Sequence, residues 1–334
     1  MTKRVLLTGI TGYIGQYCAA ELLKQGYEVV GTIRSQTKAQ LTKSDIAKIC
    51  SVDRLSFVEA DLLSDKGWAE AMRGCMYVMH VASPCEIVEP KDENEFIIPA
   101  LVGTKRIISF AQNLGVKRLV VTSSIAAMIA GKDTGRYGTE SWSNSNANIG
   151  AYMKSKTLAE RAAWKAIESG GTLELVVINP GGVFGPSLGS EIKGQTLKMV
   201  HNFINGKTPM IPDVAMGMID VRDVARLHVK ALSADGAIGK RFIASSAEPI
   251  EFATLAKILR DLGYNKVPTR IVPSILLKMI SLFDREAKGL LPFLGKKASF
   301  DNQATFEILD WEPTPIETSI RDMAEMICKY YGAN

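Results

Sequence analysis

A tyrosine and a lysine four positions apart, Tyr152 and Lys156, have the types and spacing needed to move a proton. They open a run of helix-forming residues that extends to Trp164, so both project from one face and can meet one ligand. A free phenol, with a pKa of about 10, shuttles protons poorly near neutrality, and an adjacent ammonium stabilises the phenolate and lowers that value. The spacing by itself arises often by chance on helix surfaces. A hydroxyl for the same ligand comes from Thr122-Ser123-Ser124, which closes the apolar run Arg118-Leu119-Val120-Val121. Ligands sit at the carboxyl ends of strands in open α/β sheets. A serine delivered there can donate to a carbonyl oxygen as negative charge develops on it. The competing reading is that Ser123 and Ser124 merely close the strand.

A second constellation lies near the start of the chain. Thr8-Gly9-Ile10-Thr11-Gly12-Tyr13-Ile14-Gly15 sits between the strand-like Arg4-Val5-Leu6-Leu7 and a helical stretch, the setting a dinucleotide loop requires. Gly9, Gly12 and Gly15 permit a tight turn, close approach of backbone to a pyrophosphate and close helix-strand packing. The helix start at Tyr13 and Ile14 offers N–H donors and its dipole to the phosphates. The spacing is GxxGxxG, not GxGxxG. Cofactor choice is read where the next strand ends, at Gly31-Thr32-Ile33-Arg34-Ser35, with Lys38 and Lys43 close behind and no acid before Asp45. An arginine there favours NADPH, because a guanidinium grips a 2′-phosphate in a bidentate, geometry-specific way. A solvated arginine at a strand end is the alternative.

The elements that must position these residues follow from the alternation of short apolar runs with helical patterns. Further strand-like runs are Glu28 to Ile33, Leu55 to Val58, Met76 to Val81 and Leu175 to Ile178. Near-continuous apolar strands separated by helices predict a doubly wound α/β fold, a parallel Rossmann sheet covered on both faces. After Asn179-Pro180 the rhythm changes to Gly- and Pro-rich loops, a helix around Gly194 to Asn205 and a mainly helical C-terminal third. One excursion, Met218-Ile219 to Arg241-Phe242-Ile243-Ala244, is expected to return to the sheet. The expected division is a dinucleotide-binding domain of residues 1–180 plus about 218–246, and a smaller substrate domain of about 181–217 plus 247–334.

Composition narrows the function classes. With 334 residues and 46% apolar content, the chain can bury a full core. A formal charge of only +5, with the basic residues dispersed among acids, argues against nucleic acid. The five cysteines contain no CxxC pair and are expected to be reduced and buried. His80, His201 and His228 lack metal-ligand spacing, so no metal is expected, and His80 on its strand reads as a satisfied core residue. The apolar stretch Ile271 to Phe283, interrupted by Pro273 and Lys278, is too short to span a membrane and reads as a packed helix. The first residues hold no signal peptide, which makes the cytoplasm the expected location. Gly131 to Asn148, rich in Ser and Asn, is expected to be a mobile loop near the site, and Trp142 and Trp164 to serve packing.

Taken together, the glycine turn, Thr122-Ser123-Ser124 and Tyr152-x-x-x-Lys156, in that order, resemble the extended short-chain dehydrogenase/reductase family over nearly the whole chain. His80-Val81-Ala82-Ser83-Pro84, Glu140-Ser141-Trp142-Ser143 and Ser155 to Trp164 resemble its dihydroflavonol 4-reductase and cinnamoyl-CoA reductase branch, which also holds microbial aldehyde and ketone reductases. The resemblance implies a catalytic trio of Ser124, Tyr152 and Lys156, with Thr122 and Ser123 alongside the cofactor and Arg34 at a 2′-phosphate. It also implies Asp61 and Leu62 near the adenine, Val81, Ala82 and Ser83 along the nicotinamide side, and Pro180 with Val183 beside the nicotinamide ring. Asp220 and Asp223 belong to a segment typical of the branch and are expected to cap a helix at Val221. Where plant flavonoid reductases place an asparagine shortly after the serine pair, this chain reads Ile125 to Ala130 without a polar side chain. An apolar lining selects poorly for polyhydroxylated substrates. The expectation is therefore a small-molecule carbonyl substrate, a hydrophobic aldehyde or ketone, with Cys85, Ile125 and Met128 in its pocket and a monomer or homodimer as the assembly. Two other functions compete: an NAD-retaining sugar-nucleotide epimerase or dehydratase, and a dinucleotide-sensing module without chemistry.

Overall fold

Strands whose two faces are both apolar need cover on both sides, and the chain supplies it by alternating strand and helix. The computed structural model describes residues 3–86, 88–168, 170–189, 191–192 and 194–332. The first half runs β1 (Arg4–Thr8), α1 (Tyr13–Lys24), β2 (Glu28–Ile33), α2 (Gln36–Ala47), β3 (Leu55–Glu59), α3 (Trp68–Met72) and β4 (Tyr77–His80). It continues through α4 (Asn94–Asn113), β5 (Arg118–Thr122), α5 (Ala126–Ile129), β6 (Gly135–Tyr137), α6 (Ala151–Glu168) and β7 (Glu174–Pro180). Then come β8 (Gly182–Phe184), α7 (Gln195–Ile204), β9 (Ala215–Met216), β10 (Met218–Asp220), α8 (Val221–Ser233) and β11 (Lys240–Ala244). The remainder holds β12 (Ile250–Glu251), α9 (Phe252–Asp261), α10 (Ser274–Ile280), α11 (Arg285–Leu290), β13 (Ala298–Phe300), α12 (Gln303–Leu309) and α13 (Ile316–Tyr331).

Seven strands form one sheet in the order β11-β7-β5-β4-β1-β2-β3, every neighbouring pair parallel. This is the doubly wound parallel sheet that the alternation predicts. Chain order reverses between β1 and β4, so the crevice where such sheets bind ligands opens at their carboxyl ends. One apolar cluster packs α1 and α8 on one face, and a second packs α3, α4 and α6 on the other. A third cluster joins α7, α9 and α13 beyond the sheet. The chain does return to the sheet at β11, whereas β10 pairs with β8 in a separate two-stranded ribbon.

Several local expectations are corrected. The stretch from Ile271 to Phe283 is packed on one side only: Val272 and Leu277 are buried in a small cluster with Ala287, while Ile275, Met279 and Leu282 are exposed and Phe283 is 93% exposed. Among the described residues, no helix is long and apolar enough to cross a membrane. Of the cysteines, Cys18 and Cys75 are buried, Cys50 and Cys328 half-buried and Cys85 exposed. The Gly131 to Asn148 segment is pinned, because Ser143 and Asn144 donate their backbone N–H groups to Ala127 and Ala130 and β6 pairs with β13. Asp220 caps α8 by accepting from Arg222 N, as expected. Asp223 does not cap; it accepts from Thr314 N at 2.7 Å and from Trp311 Nε1 at 3.3 Å, tying the segment before α13 to α8.

Two buried histidines lie under the strand ends. Thr8 Oγ1 accepts from Val81 N and Ala82 N at 3.1 and 3.0 Å, so its own hydrogen goes to His80 Nδ1 at 2.8 Å. His228 Nδ1 donates to Val224 O at 2.7 Å, and its Nε2 accepts from Thr122 Oγ1 at 2.6 Å. Both rings are thus neutral. Burial, aided by the Lys156 charge, lowers His80 to about 3, and burial lowers His228 to about 4. The unfolded chain, titrating near 6.5, takes up protons that the folded chain refuses. This stability is fully present above pH of about 6.5 and is lost as pH falls toward 4. Urea unfolding at pH 7 and pH 4.5 is expected to lose about 3 kcal/mol or more at about 1.4 kcal/mol per unit of difference. Equal stability at the two pH values refutes the neutral assignment.

Candidate active site

Ser124 lies two residues past the end of β5, and Tyr152 lies in the first turn of α6, which begins at Ala151. Glu89 holds the start of α6 by accepting from Ala151 N at 3.1 Å, placing a carboxylate at the helix end that favours negative charge. Ser124 Oγ accepts from Ala126 N at 3.1 Å, which leaves its hydrogen free to donate. The Tyr152 hydroxyl lies beside the Ser124 side chain and the Cys85 thiol. Burial, with Cys85 acting in the same direction, raises Tyr152 well above the ordinary phenol value, while Ser124 acts the other way. Lys156 donates to Thr122 O at 3.3 Å, and burial lowers its pKa against the pull of Cys85 and Glu160. The expectation that the lysine lowers the tyrosine is thus not met in this arrangement. Desolvation outweighs it, and the ammonium is engaged with the β5 carbonyl.

The glycine turn has the shape a pyrophosphate needs. Gly9 has φ +72°, and a Cβ on it would lie 2.8 Å from Ala82 N. A Cβ on Gly15 would lie 2.1 Å from Gly9 O, so the helix can approach the turn only with glycine there. Gly12 meets only Gly9 O, at 3.3 Å, and no side chain caps α1, whose first-turn N–H groups therefore need an outside acceptor. Arg34 is exposed at the end of β2, with no partner among the described residues. These features fit a dinucleotide phosphate. Tyr13 contributes differently from a phosphate contact: its hydroxyl donates to Gly185 O at 2.5 Å, while Tyr17 reaches Pro186 O at 3.0 Å and Lys48 reaches Leu188 O at 3.1 Å. The 185–189 loop is thereby tied across α1 and α2. Ile14 is half-buried beside them.

The other expected contacts lie at or just past the ends of β3, β4 and β7, or in β8. Val81 and Ala82 are locked through their N–H groups to Thr8, and Ser83 follows them half-buried. Asp61 Oδ1 accepts from Leu63 N at 2.7 Å, and Leu62 O accepts from Arg106. Pro180 ends β7 and accepts from Ile125 N at 3.0 Å, and Val183 lies half-buried in β8. Ile125 lines a mainly apolar crevice with Ile129, Met153, Met216, Phe293 and Phe300, to which Lys132, Asp133 and Lys296 add charge. Met128 is a correction: it is fully buried against Ile243 and Phe300 and faces the core, because α5 turns it away from the open side. Sequence reading missed Glu160, Asn179 and Arg241. Glu160 is buried, and its carboxylate accepts from Ser123 Oγ at 2.5 Å, Asn179 Nδ2 at 2.8 Å and Arg241 Nε at 2.6 Å. The available signal was spacing, since Glu160 follows Lys156 by one helical turn. Trp142 does more than pack, because the Arg241 guanidinium stacks on it at 4.1 Å.

The model of the NAD dependent epimerase/dehydratase family matches residues 5–244, covering β1 to β11 and therefore both the glycine turn and the trio. The chain belongs to this family. A cinnamoyl-CoA reductase of Medicago truncatula, 31% identical over 346 residues, covers 99% of this chain and 97% of its own length. A putative NADPH-dependent methylglyoxal reductase of Candida albicans is 31% identical over 280 residues, 77% of this chain and 82% of its own. The crystal structure of yeast methylglyoxal/isovaleraldehyde reductase complexed with NADPH has a TM-score of 0.83 at 26% identity, over 99% of this chain and 100% of that one. The likeness to cinnamoyl-CoA reductases read from the sequence is borne out within the epimerase/dehydratase family. The turn itself makes a contrast for thermal unfolding. Gly15→Ala forces backbone apart and is expected to cost about 2 kcal/mol or more. Gly12→Ala, with one contact only slightly tight, is expected to cost less than about 1 kcal/mol. Equal losses refute the packing role of Gly15.

Proposed function

We propose that the protein is an NADPH-dependent reductase that reduces the carbonyl of a hydrophobic aldehyde or ketone, with Tyr152 as proton donor. The observation that carries this reading is the placement of Ser124 just past β5 and beside Tyr152 in the first turn of α6, with Lys156 one turn along the same helix and donating to Thr122 O at 3.3 Å. Gly9, Gly12, Gly15 and Arg34 would hold NADPH, which supplies the hydride. Ser124, whose lone pair is occupied by Ala126 N, offers its hydrogen to the carbonyl oxygen. Tyr152, a phenol that carries its hydrogen near neutrality, gives a proton to the same oxygen, whose developing alkoxide is a far stronger base than a phenolate. Lys156 sets a positive charge beside the phenolate that remains. Carbonyl, hydride and proton sum to the alcohol.

Support for the substrate class comes from the mainly apolar crevice lined by Ile125 and Met153, the residues after Ser124 and Tyr152, with Lys132, Asp133 and Lys296 also in its lining. Arg34 supports the phosphorylated cofactor, as do the relatives described as NADPH-dependent or bound to NADPH. The family's own description favours a second reading, an epimerase or dehydratase that retains NAD. Protein that leaves purification with tightly held NAD and turns over no carbonyl establishes that reading instead.

Purified protein is expected to consume NADPH with medium-chain or aromatic aldehydes and ketones. Tyr152→Phe is expected to lose on the order of 100-fold or more in kcat with an unchanged circular dichroism spectrum. An active phenylalanine variant refutes the proton-donor role. Arg34→Ala is expected to raise the KM for NADPH by about tenfold or more while leaving that for NADH unchanged, since one lost charged contact is worth about 1.5 kcal/mol or more. Equal effects on both cofactors refute the 2′-phosphate assignment.

A further inference from the structure

We propose that Glu160 is a positioning residue for this reaction: with Arg241 as partner, its carboxylate locks the ends of β5 and β7 against α6, holding Ser124 and Lys156 in register with Tyr152. The proposal rests on the reductase reading. Its basis is a carboxylate with no exposure that gathers five donors from four elements. Ser123 Oγ donates from the end of β5 at 2.5 Å and Asn179 Nδ2 from β7 at 2.8 Å. Arg241 donates from β11 through Nε and Nη2 at 2.6 and 3.3 Å, and Trp164 Nε1 from α6 at 3.3 Å.

Each member of the trio is reached from this node. Tyr152, Lys156 and Glu160 share α6 at intervals of one turn. Ser124 is fixed because Asn179 Nδ2 also donates to Ser124 O, at 3.1 Å. Arg241 extends the clamp by donating to Thr139 O and Ser141 O, both at 2.7 Å, in the segment that precedes α6. A buried ion pair is weak evidence for stability, because desolvation offsets most of its attraction. Five donors on one carboxylate under the reacting groups make geometric specification the better account.

The carboxylate also acts on charge. The titratable groups facing Lys156 are Tyr152 and Glu160 on its own helix, Cys85 after β4 and the neutral His80 on β4. Burial lowers Lys156, while Cys85 and Glu160 hold it up. Loss of the Glu160 charge therefore lets the ammonium deprotonate at lower pH.

The test compares Glu160→Gln and Glu160→Asp with the wild type in kcat, KM for NADPH and the pH profile of kcat for carbonyl reduction. Glu160→Gln is expected to lose about tenfold or more in kcat, with KM for NADPH within about threefold and the alkaline limb moved to lower pH by about half a unit or more. Glu160→Asp, which keeps the charge one methylene short of its partners, is expected to restore the limb but not the full kcat. If Glu160→Gln strands Arg241 and does not fold, Glu160→Gln/Arg241→Gln, which buries no charge, replaces it for the kcat comparison. A folded variant lacking the carboxylate that keeps wild-type kcat and pH limb overturns the proposal. Should none fold, wild-type kcat in Glu160→Asp overturns it. Wild-type protein that reduces no carbonyl sinks the reductase reading itself, whereas active wild type with indistinguishable variants sinks only the role of Glu160.

Discussion

Four parallel strands end side by side beneath the crevice, and each polar group they carry into the interior must find a partner there. An unsatisfied buried donor or acceptor costs roughly 1–3 kcal/mol, so the strand ends admit few arrangements. β1 ends on Thr8, which satisfies two N–H groups after β4 and hands its hydrogen to His80. β5 ends on Thr122, whose hydroxyl is taken by His228 and whose carbonyl is taken by Lys156. β7 ends on Asn179, which donates to Ser124 O, and Pro180, which accepts from Ile125 N. The hydroxyls of Ser124 and Tyr152 stand above polar groups among which both histidines are neutral and paired. That pairing explains why two histidines can be buried without titrating near neutrality.

The same economy of contact shapes the cofactor side. The first loop can press against the end of β4 only because residue 9 lacks a Cβ, and α1 can press against the loop only because residue 15 lacks one. The 185–189 segment then crosses α1, held by Tyr13, Tyr17 and Lys48 through backbone carbonyls alone. Such contacts fix the path of the loop without dictating its side chains. The loop that follows β8 is therefore tied to the helix that follows the glycine turn.

Much of this frame is written locally and was legible in the sequence. Runs such as Val5-Leu6-Leu7 and Leu119-Val120-Val121 announce doubly covered strands, and the glycine turn and the Tyr152–Lys156 spacing announce their own geometry. The illegible part is the part that depends on tertiary pairing. Glu160 looks like any acid on a helix until β11 supplies Arg241, whose meaning in turn depends on Trp142 and on two carbonyls about a hundred positions away. Met128 was misplaced for a similar reason, and Cys85, expected to be buried, is exposed. Whether a side chain beside a strand end faces core or crevice depends on how α5 and the segment after β4 turn, and period-based reasoning does not reach such short elements. The stretch from Ile275 to Phe283 misleads in the opposite direction, being apolar enough to belong in a core that does not extend to it.

Asn179 shows how tightly the clamp is specified. Its Nδ2 donates to both Ser124 O and Glu160 Oε2, while its buried Oδ1 has no partner among the described residues. Flipping the amide would set that oxygen against two other oxygens, so the orientation is fixed by its neighbours. An aspartate there would place a second carboxylate against Glu160, and a leucine would leave Ser124 O and a Glu160 lone pair without a donor. Asparagine is thus the side chain of that size that can bridge a carbonyl and a carboxylate, and in doing so it ties the backbone of Ser124, just past β5, to the buried carboxylate on α6.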